Sequence, residues 1–325
     1  MPFDVTIVTQ RGGSCVSNPE AQNEAVAAAA RGSLARGRRD VLIAAMLWSV
    51  GGVGAKWLTL DPLTIAFYRG LFAGLALVPF VPRSRRVVRP IMIPLGLCFG
   101  VMTALYLASI KRTTAANAIL LQNTATFWVV PLGLFFLRER PDRRSLAGIL
   151  LATCGIASIV GFGRDGRSGE WLGIAFGLAS GLGYAVVVVA LRGLRDLDPT
   201  WLSGFNNLAG AVVMAVFLLA YRGSIVIPGG SETLVLVGLG VFQMAISYKL
   251  FARGLRVVGA AEAGLLGLIE PILNPIWVWL VVGERPTHAT MIGGALLLAG
   301  VAVRYWPTRR LTLSSETIAL IEEAH

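Results

Sequence analysis

Charge is scarce in this sequence. Only 14% of its 325 residues are Asp, Glu, Lys or Arg, 55% are hydrophobic, and the mean hydropathy is +0.69. That balance excludes an ordinary soluble domain, in which about a quarter of the residues are charged. Histidine is scarcer still: His288 borders an apolar run and His325 ends the chain. No H-E-x-x-H motif, two-histidine metal site or Ser-His-Asp triad is therefore expected inside the apolar runs. Cys15, Cys98 and Cys154 are too few and too scattered for a disulfide framework or a metal cluster, and the last two read as small core residues. The pattern G-x-x-x-x-G-K-[ST] is missing, which excludes ATP hydrolysis through a P-loop. The expectation is a protein that is not an enzyme, with no catalytic residues, metal or cofactor.

A net charge of +11 would suit nucleic acid, yet the basic residues sit in short loops between apolar runs instead of on one aromatic-rich face. The expected partners are membrane lipids and a small-molecule solute, not nucleic acid. Nothing chooses between monomer and homodimer. Residues 1 to 39 hold no apolar stretch ahead of a small-residue cleavage site, so a cytoplasmic, disordered amino-terminal segment is expected in place of a signal peptide. The tail, 307 to 325, is also expected in the cytoplasm, with Ser314 and Ser315 capping a short helix.

What the chain has in abundance is apolar runs near the length of about 20 residues that crosses a bilayer. Ten are present, at roughly 41–60, 63–81, 91–110, 114–137, 145–162, 171–191, 200–221, 233–253, 259–282 and 288–306. Positive loops stay in the cytoplasm. Arginine-rich segments such as Arg83 to Arg89 and Arg138 to Arg144 fall on the amino-terminal side, and Lys111, Arg112, Arg164, Arg167, Arg222 and Arg285 make a smaller set on the other. Both termini are thus expected inside a cell (inner) membrane.

The stretch FFLRERPD ends one run with Glu139-Arg140-Pro141, and LVVGERPT ends another with Glu284-Arg285-Pro286. A shift of 145 residues superposes the two words and runs without a gap from Ala115/Ala260 to Ala157/Ala302, with 12 of 43 positions identical, among them Gly148/Gly293 and Gly155/Gly300. Asp61-Pro62 before the second run likewise echoes Asp198-Pro199 before the seventh. The fold class expected is all-α and polytopic: ten transmembrane helices as two five-helix repeats, 41–162 and 171–306. Five is odd, so the second repeat enters the membrane inverted. Inverted repeats are a signature of secondary transporters that work around a site near the bilayer midplane; a duplicated scaffold without transport is the competing reading.

The chain also resembles the ten-span EamA-type permeases of the drug/metabolite transporter superfamily over essentially 41 to 306. The resemblance is carried by Leu47-Trp48 in the first span, Arg69 in the second, Glu139 and Glu284 closing the fourth and ninth, and Glu270-Pro271 in the ninth. It implies two EamA repeats and transport of amino acids, other metabolites or drug-like solutes, often outward. The family often has a proline midway in span four, where this chain has Thr126 with Pro131 one turn later, so the two central helices need not match.

Ionisable groups within the hydrocarbon cost at least ~2.5 kcal/mol each, so each needs a reason. Lys56 and Lys249 lie close enough to span ends to snorkel. Glu262 opens the ninth span, where a carboxylate suits the helix dipole and where Lys249 could be a neighbour. Arg69 lies deeper, about 10 Å below the surface, and either binds a substrate carboxylate or ties the halves together. Glu270 falls about 16 Å into a 30 Å core, just ahead of Pro271 and Pro275. Proline removes backbone hydrogen bonds, and a helix broken at midplane suits a transporter cavity. Glu270 is a candidate for substrate contact or proton coupling, or else satisfies donors around the break.

Gln122, Asn123, Thr124 and Thr126 supply a polar cluster at matching depth in span four, for a cavity wall or for interhelical hydrogen bonds. Asn206, Asn207, Gln243 and Asn274 extend the cavity candidates, Asn206 standing at the repeat position of Arg69. Trp48, Tyr106 and Tyr248 offer aromatic walls or packing. Gly173, Gly177 and Gly181, with Gly70 and Gly74, form small-residue ridges for close helix contact. Glu139, Arg140, Glu284 and Arg285 are expected to act as helix-end anchors or gating pairs. The expected function is secondary transport by alternating access, most directly export of amino acids or related solutes, with proton coupling as an option. The alternatives are a flippase for lipid-linked substrates or an intramembrane enzyme using Glu270 or Glu262.

Overall fold

The computed structural model describes residues 19–137, 143–162 and 169–306. Glu139, Arg140, Cys15 and the Ser314–Ser315 cap lie outside the described residues. Within them every regular element is helical: α1 (Pro19–Ser49), α2 (Gly51–Trp57), α3 (Pro62–Leu77), α4 (Met92–Arg112), α5 (Ala115–Asn123), α6 (Ala125–Leu132) and α7 (Arg143–Phe162) in the first half. The second half holds α8 (Glu170–Arg192), α9 (Pro199–Arg222), α10 (Gly230–Gly238), α11 (Ser247–Gly254), α12 (Ala260–Gly267), α13 (Ile269–Val282) and α14 (His288–Tyr305). Nine segments among the described residues are long and apolar enough to cross a membrane. The expected first span is the carboxy-terminal part of α1 followed by α2. This is an all-α, polytopic membrane protein.

The segment 1–39 was expected to be disordered, but helix α1 already begins at Pro19. The alanine-rich run 25–30 favours helix, and the chain continues from it into the first span without a proline. Cys154 is exposed on α7 and is not a core residue.

Local sequence explains where the helices start. Asp61 accepts hydrogen bonds from the backbone of Leu63 and Thr64 at 3.0 and 3.1 Å, and Asp198 from Thr200 and Trp201 at 2.9 and 3.2 Å. Each satisfies otherwise orphan N–H groups, and each is followed by proline at the first helical position, where its missing N–H costs nothing. Span nine ends at Gly283, whose φ of 78° is a left-handed helix stop that turns the chain toward Glu284.

The repeat is visible in the packing. Helices α7 and α14 meet so closely that a Cβ on Gly148 would lie 2.9 Å from the Gly300 carbonyl oxygen, and one on Gly155 would lie 2.5 Å from that of Gly293. Gly148 is the repeat equivalent of Gly293 and Gly155 of Gly300. Each glycine thus packs against the equivalent of the other, as in contacts about a two-fold axis. Helices α3 and α9 do likewise: a Cβ on Gly70 would come within 2.9 Å of the carbonyl oxygen of Asn207, its own equivalent under the 137-residue shift.

The two central spans also match, although only one carries a proline at the break. Span four is interrupted between α5 and α6 at Thr124 (φ −57°, ψ −17°) and span nine between α12 and α13 at Leu268 (φ −61°, ψ −16°). In span nine Pro271 supplies no N–H. In span four the Thr124 hydroxyl donates to the Leu121 carbonyl at 2.6 Å, competing with the backbone ladder. At both points the backbone tightens, Thr124 N bonding Leu121 O and Leu268 N bonding Leu265 O. Different chemistry gives the same break.

Candidate functional site

Glu270 stands at the first turn of α13, directly after the span-nine break. Tyr106 on α4, Tyr184 on α8, Tyr248 on α11 and Arg69 on α3 all lie close enough to interact electrostatically with its carboxylate. Two of these groups come from the first half and three, counting Glu270, from the second. Glu270 and Tyr248 are half-buried, and Tyr184 is 38% accessible. Aromatic side chains cluster beside Tyr248: the Trp48 ring meets Tyr248 edge-on at 5.4 Å and Phe251 at 5.1 Å, and the Trp277 indole donates to the Ser49 hydroxyl at 3.0 Å.

Arg69 is buried and carries a formal charge opposite to that of Glu270. It borders a cavity of about 10 Å³ shared with Asn207, Thr103 and Met214, room for about one water. The span-four cluster is divided. Gln122 donates to the Ser180 hydroxyl at 2.9 Å, and Ser180 donates in turn to the Met102 carbonyl at 3.0 Å, so Gln122 ties spans three, four and six together. Asn123 donates to Ile119 of its own helix at 2.8 Å; it and Thr126 are half-buried, while Thr124 is fully buried against Gly181.

Four other cavity candidates are buried between helices. Asn207 donates to the Ser203 carbonyl at 2.9 Å, and the Asn206 carbonyl oxygen has no hydrogen-bond partner. Gln243 lies in a π-helical stretch, Leu239–Ile246, and donates to the Trp48 carbonyl at 3.3 Å. Asn274 is fully buried, its amide 2.4 Å from where a Gly52 Cβ would stand. Gln243 therefore bonds across the break between α1 and α2, and Gly51 and Gly52 leave room for the two amides.

The charged helix ends form an ion-pair layer. The Lys56 ammonium lies 2.6 Å from Glu284 with both side chains nearly buried, and it also donates to the Thr113 carbonyl at 2.7 Å. The other Glu284 oxygen accepts from the Ala115 backbone at 2.7 Å, a carboxylate at the positive end of α5. Lys56 was expected to snorkel; instead a partner 228 positions along the chain holds it inside. Arg285 lies 5.7 Å from the Trp279 ring, as an interfacial anchor would. At the other end Glu262 pairs with Arg38 and not with Lys249, which sits 4.2 Å from the Phe80 ring. No cluster of three metal-ligating side chains occurs among the described residues.

Sequence reasoning missed Tyr184, Trp277 and Ser180. Tyr184 follows the Gly173-Gly177-Gly181 ridge by three residues, the one available sign that it shares that packed face.

A family model described as the EamA-like transporter family matches residues 41–161 and 171–306. The chain is 32% identical over 273 residues to an uncharacterized transporter of Archaeoglobus fulgidus, covering 83% of this chain and 96% of the relative. It is 26% identical over 300 residues to the uncharacterized inner membrane transporter YicL of Salmonella typhimurium, covering 86% and 98%. A solved crystal structure matches with a TM-score of 0.63 at 22% identity, over 85% of this chain and 99% of the other, a likeness of fold.

Proposed function

The chain belongs to the EamA-like transporter family and is a multi-pass membrane transporter, and from that premise we propose that it exports amino acids or related small zwitterions across the cell membrane by alternating access. The observation that carries this reading is that Glu270 and Arg69, opposite charges from the two halves, both lie within electrostatic reach of Tyr106 and Tyr248. A zwitterion presents an ammonium to the carboxylate and a carboxylate to the guanidinium, which forms two parallel hydrogen bonds to such a group. The rings of Tyr106, Tyr184, Tyr248 and Trp48 supply apolar contact and a face for the cation. Glu270 would also be the group that exchanges a proton for solute. Arginine distribution supports cytoplasmic termini, and the repeat boundaries follow the family match at 41–161 and 171–306.

Counterflow in proteoliposomes, with a panel of amino acids, nucleosides, vitamins and cationic drugs and with or without a pH gradient, tests this reading. Amino acids are expected to exchange, and Glu270→Gln is expected to abolish pH-driven accumulation more than exchange. Exchange restricted to cationic drugs would reject the zwitterion. Unchanged pH dependence in the variant would reject proton coupling through Glu270.

A further inference from the structure

A second cavity, of about 340 Å³, lies between spans two, three, six and seven. Its walls are apolar: Val101 and Leu105 on α4, Phe176 on α8, Met214 and Phe217 on α9. Its rim is not, because Arg112 and Arg222 stand there at the ends of α4 and α9, beside Asp61. The Asp61 carboxylate is already engaged by Arg222 at 2.8 Å and by the first turn of α3, so the rim keeps a surplus of positive charge. Arg112 holds its guanidinium 5.8 Å from the Phe176 ring. From Val101 to Arg112 the helix rises about 16 Å, half of a 30 Å hydrocarbon core. The groove thus runs from near the midplane to the membrane surface, apolar along its length and cationic where a headgroup would lie.

We propose that this groove is a binding site for an anionic phospholipid, with one acyl chain along Val101, Leu105 and Met214 and the phosphate between Arg112 and Arg222. Charge complementarity and one-leaflet length favour this occupant over a free solute: a small anion would leave the apolar walls exposed, and a lipid with no net negative charge would leave the rim's surplus positive charge uncompensated. Met214 lines both this groove and the small cavity beside Arg69. A chain seated here would therefore press on a helix that borders the charged core. The site does not depend on which solute the transporter carries.

Native mass spectrometry of the purified protein, exchanged into detergent with phosphatidylglycerol, phosphatidylcholine or inorganic phosphate, tests the proposal. Phosphatidylglycerol is expected to remain bound, phosphatidylcholine to be lost at lower activation, and phosphate alone to show no adduct. Arg112→Gln removes a charge-assisted contact and is expected to weaken phosphatidylglycerol retention roughly tenfold or more, with Arg112→Lys retaining most of it. Ala108→Trp, which fills the groove without touching charge, is expected to weaken retention of any lipid there. Leu150→Trp, on an exposed face of α7, serves as the control expected to leave retention unchanged. Equal retention of the two lipids by the unaltered protein would overturn the anionic site. So would undiminished phosphatidylglycerol in both groove variants, and an adduct with phosphate alone would reduce the site to a surface anion contact.

Discussion

The Lys56–Glu284 pair shows how one residue changes meaning between sequence and structure. A lysine some 6 Å from a span end is near enough to reach water by itself. Its buried carboxylate lies in the other repeat, and no local pattern announces a contact across that separation. Removing one member of a buried pair leaves the other charge unsolvated, so Lys56→Met and Glu284→Leu are each expected to cost about 3–5 kcal/mol. Lys56→Met/Glu284→Leu should recover much of that loss, because a well-packed apolar pair avoids the desolvation penalty. Thermal unfolding of the four proteins in one detergent measures the cycle. Asp40 answers to pH instead. It lies just before the first span, and the hydrogen-bonded Arg253 guanidinium, at 2.5 and 2.8 Å, holds its carboxyl below the usual range. A lowered carboxylate contributes stability at pH above its unfolded value, and that contribution is lost as pH falls through the folded value. Asp40→Asn should therefore flatten the acid limb of the stability profile, below about pH 4, and leave neutral-pH differences from other pairs in place.

At the scale of the element, the spans were legible because hydrophobic length is a direct consequence of the bilayer. The breaks were half legible. Pro271 announced one in span nine, but a threonine says nothing unless its hydroxyl is seen on the carbonyl of Leu121, and the absence of a proline pointed to unequal helices. What fixes the span-four break is a neighbour: a Cβ on Gly181 would lie 2.5 Å from the Thr124 hydroxyl and 2.8 Å from the Leu121 carbonyl oxygen. The ridge glycine lets the Leu121 carbonyl, which accepts from both the backbone and the hydroxyl of Thr124, rest against span six. Gly181→Leu is accordingly expected to cost about 1–3 kcal/mol by overpacking and to lower counterflow, since the neighbour is backbone that cannot rotate away. Gly161, whose Cβ would meet nothing within 4 Å, is the control: Gly161→Ala should be neutral or slightly stabilising. Detergent melting and counterflow on the same preparations separate the two. Similar limits governed the candidate site. Glu270 stands out in the sequence because a midplane carboxylate has few excuses. The sequence does not show that the amides of Gln243 and Asn274 lie against Gly51 and Gly52, because that contact joins residues about 200 positions apart.

Across the whole molecule, the inverted repeat writes one ion pair twice. Asp61 meets Arg222 at 2.8 Å at the end of the bundle that holds Lys56, and Asp198 meets Arg85 at 3.7 Å at the opposite end. A shift of 137 residues carries Asp61 to Asp198 and Arg85 to Arg222, so the two bridges are equivalents, each joining the halves. Symmetry of this kind suits the alternating access proposed above, in which a rocking motion that loosens one bridge would bring its equivalent together. The tighter bridge at the Lys56 end, reinforced there by Glu284, matches a molecule more firmly closed on that side. Arg222→Gln should then shift the population toward opening at the Lys56 end, and Arg85→Gln toward opening at the other. With Cys15, Cys98 and Cys154 replaced by serine, Thr126→Cys in span four can be labelled by a membrane-impermeant thiol reagent in right-side-out and inside-out vesicles. The two arginine variants should change labelling in opposite senses on the two vesicle types. Exposed bridges contribute only about 0–1 kcal/mol, so severalfold shifts are expected and not all-or-none switching. Parallel changes in both variants would mean that the bridges hold the fold together without acting as gates.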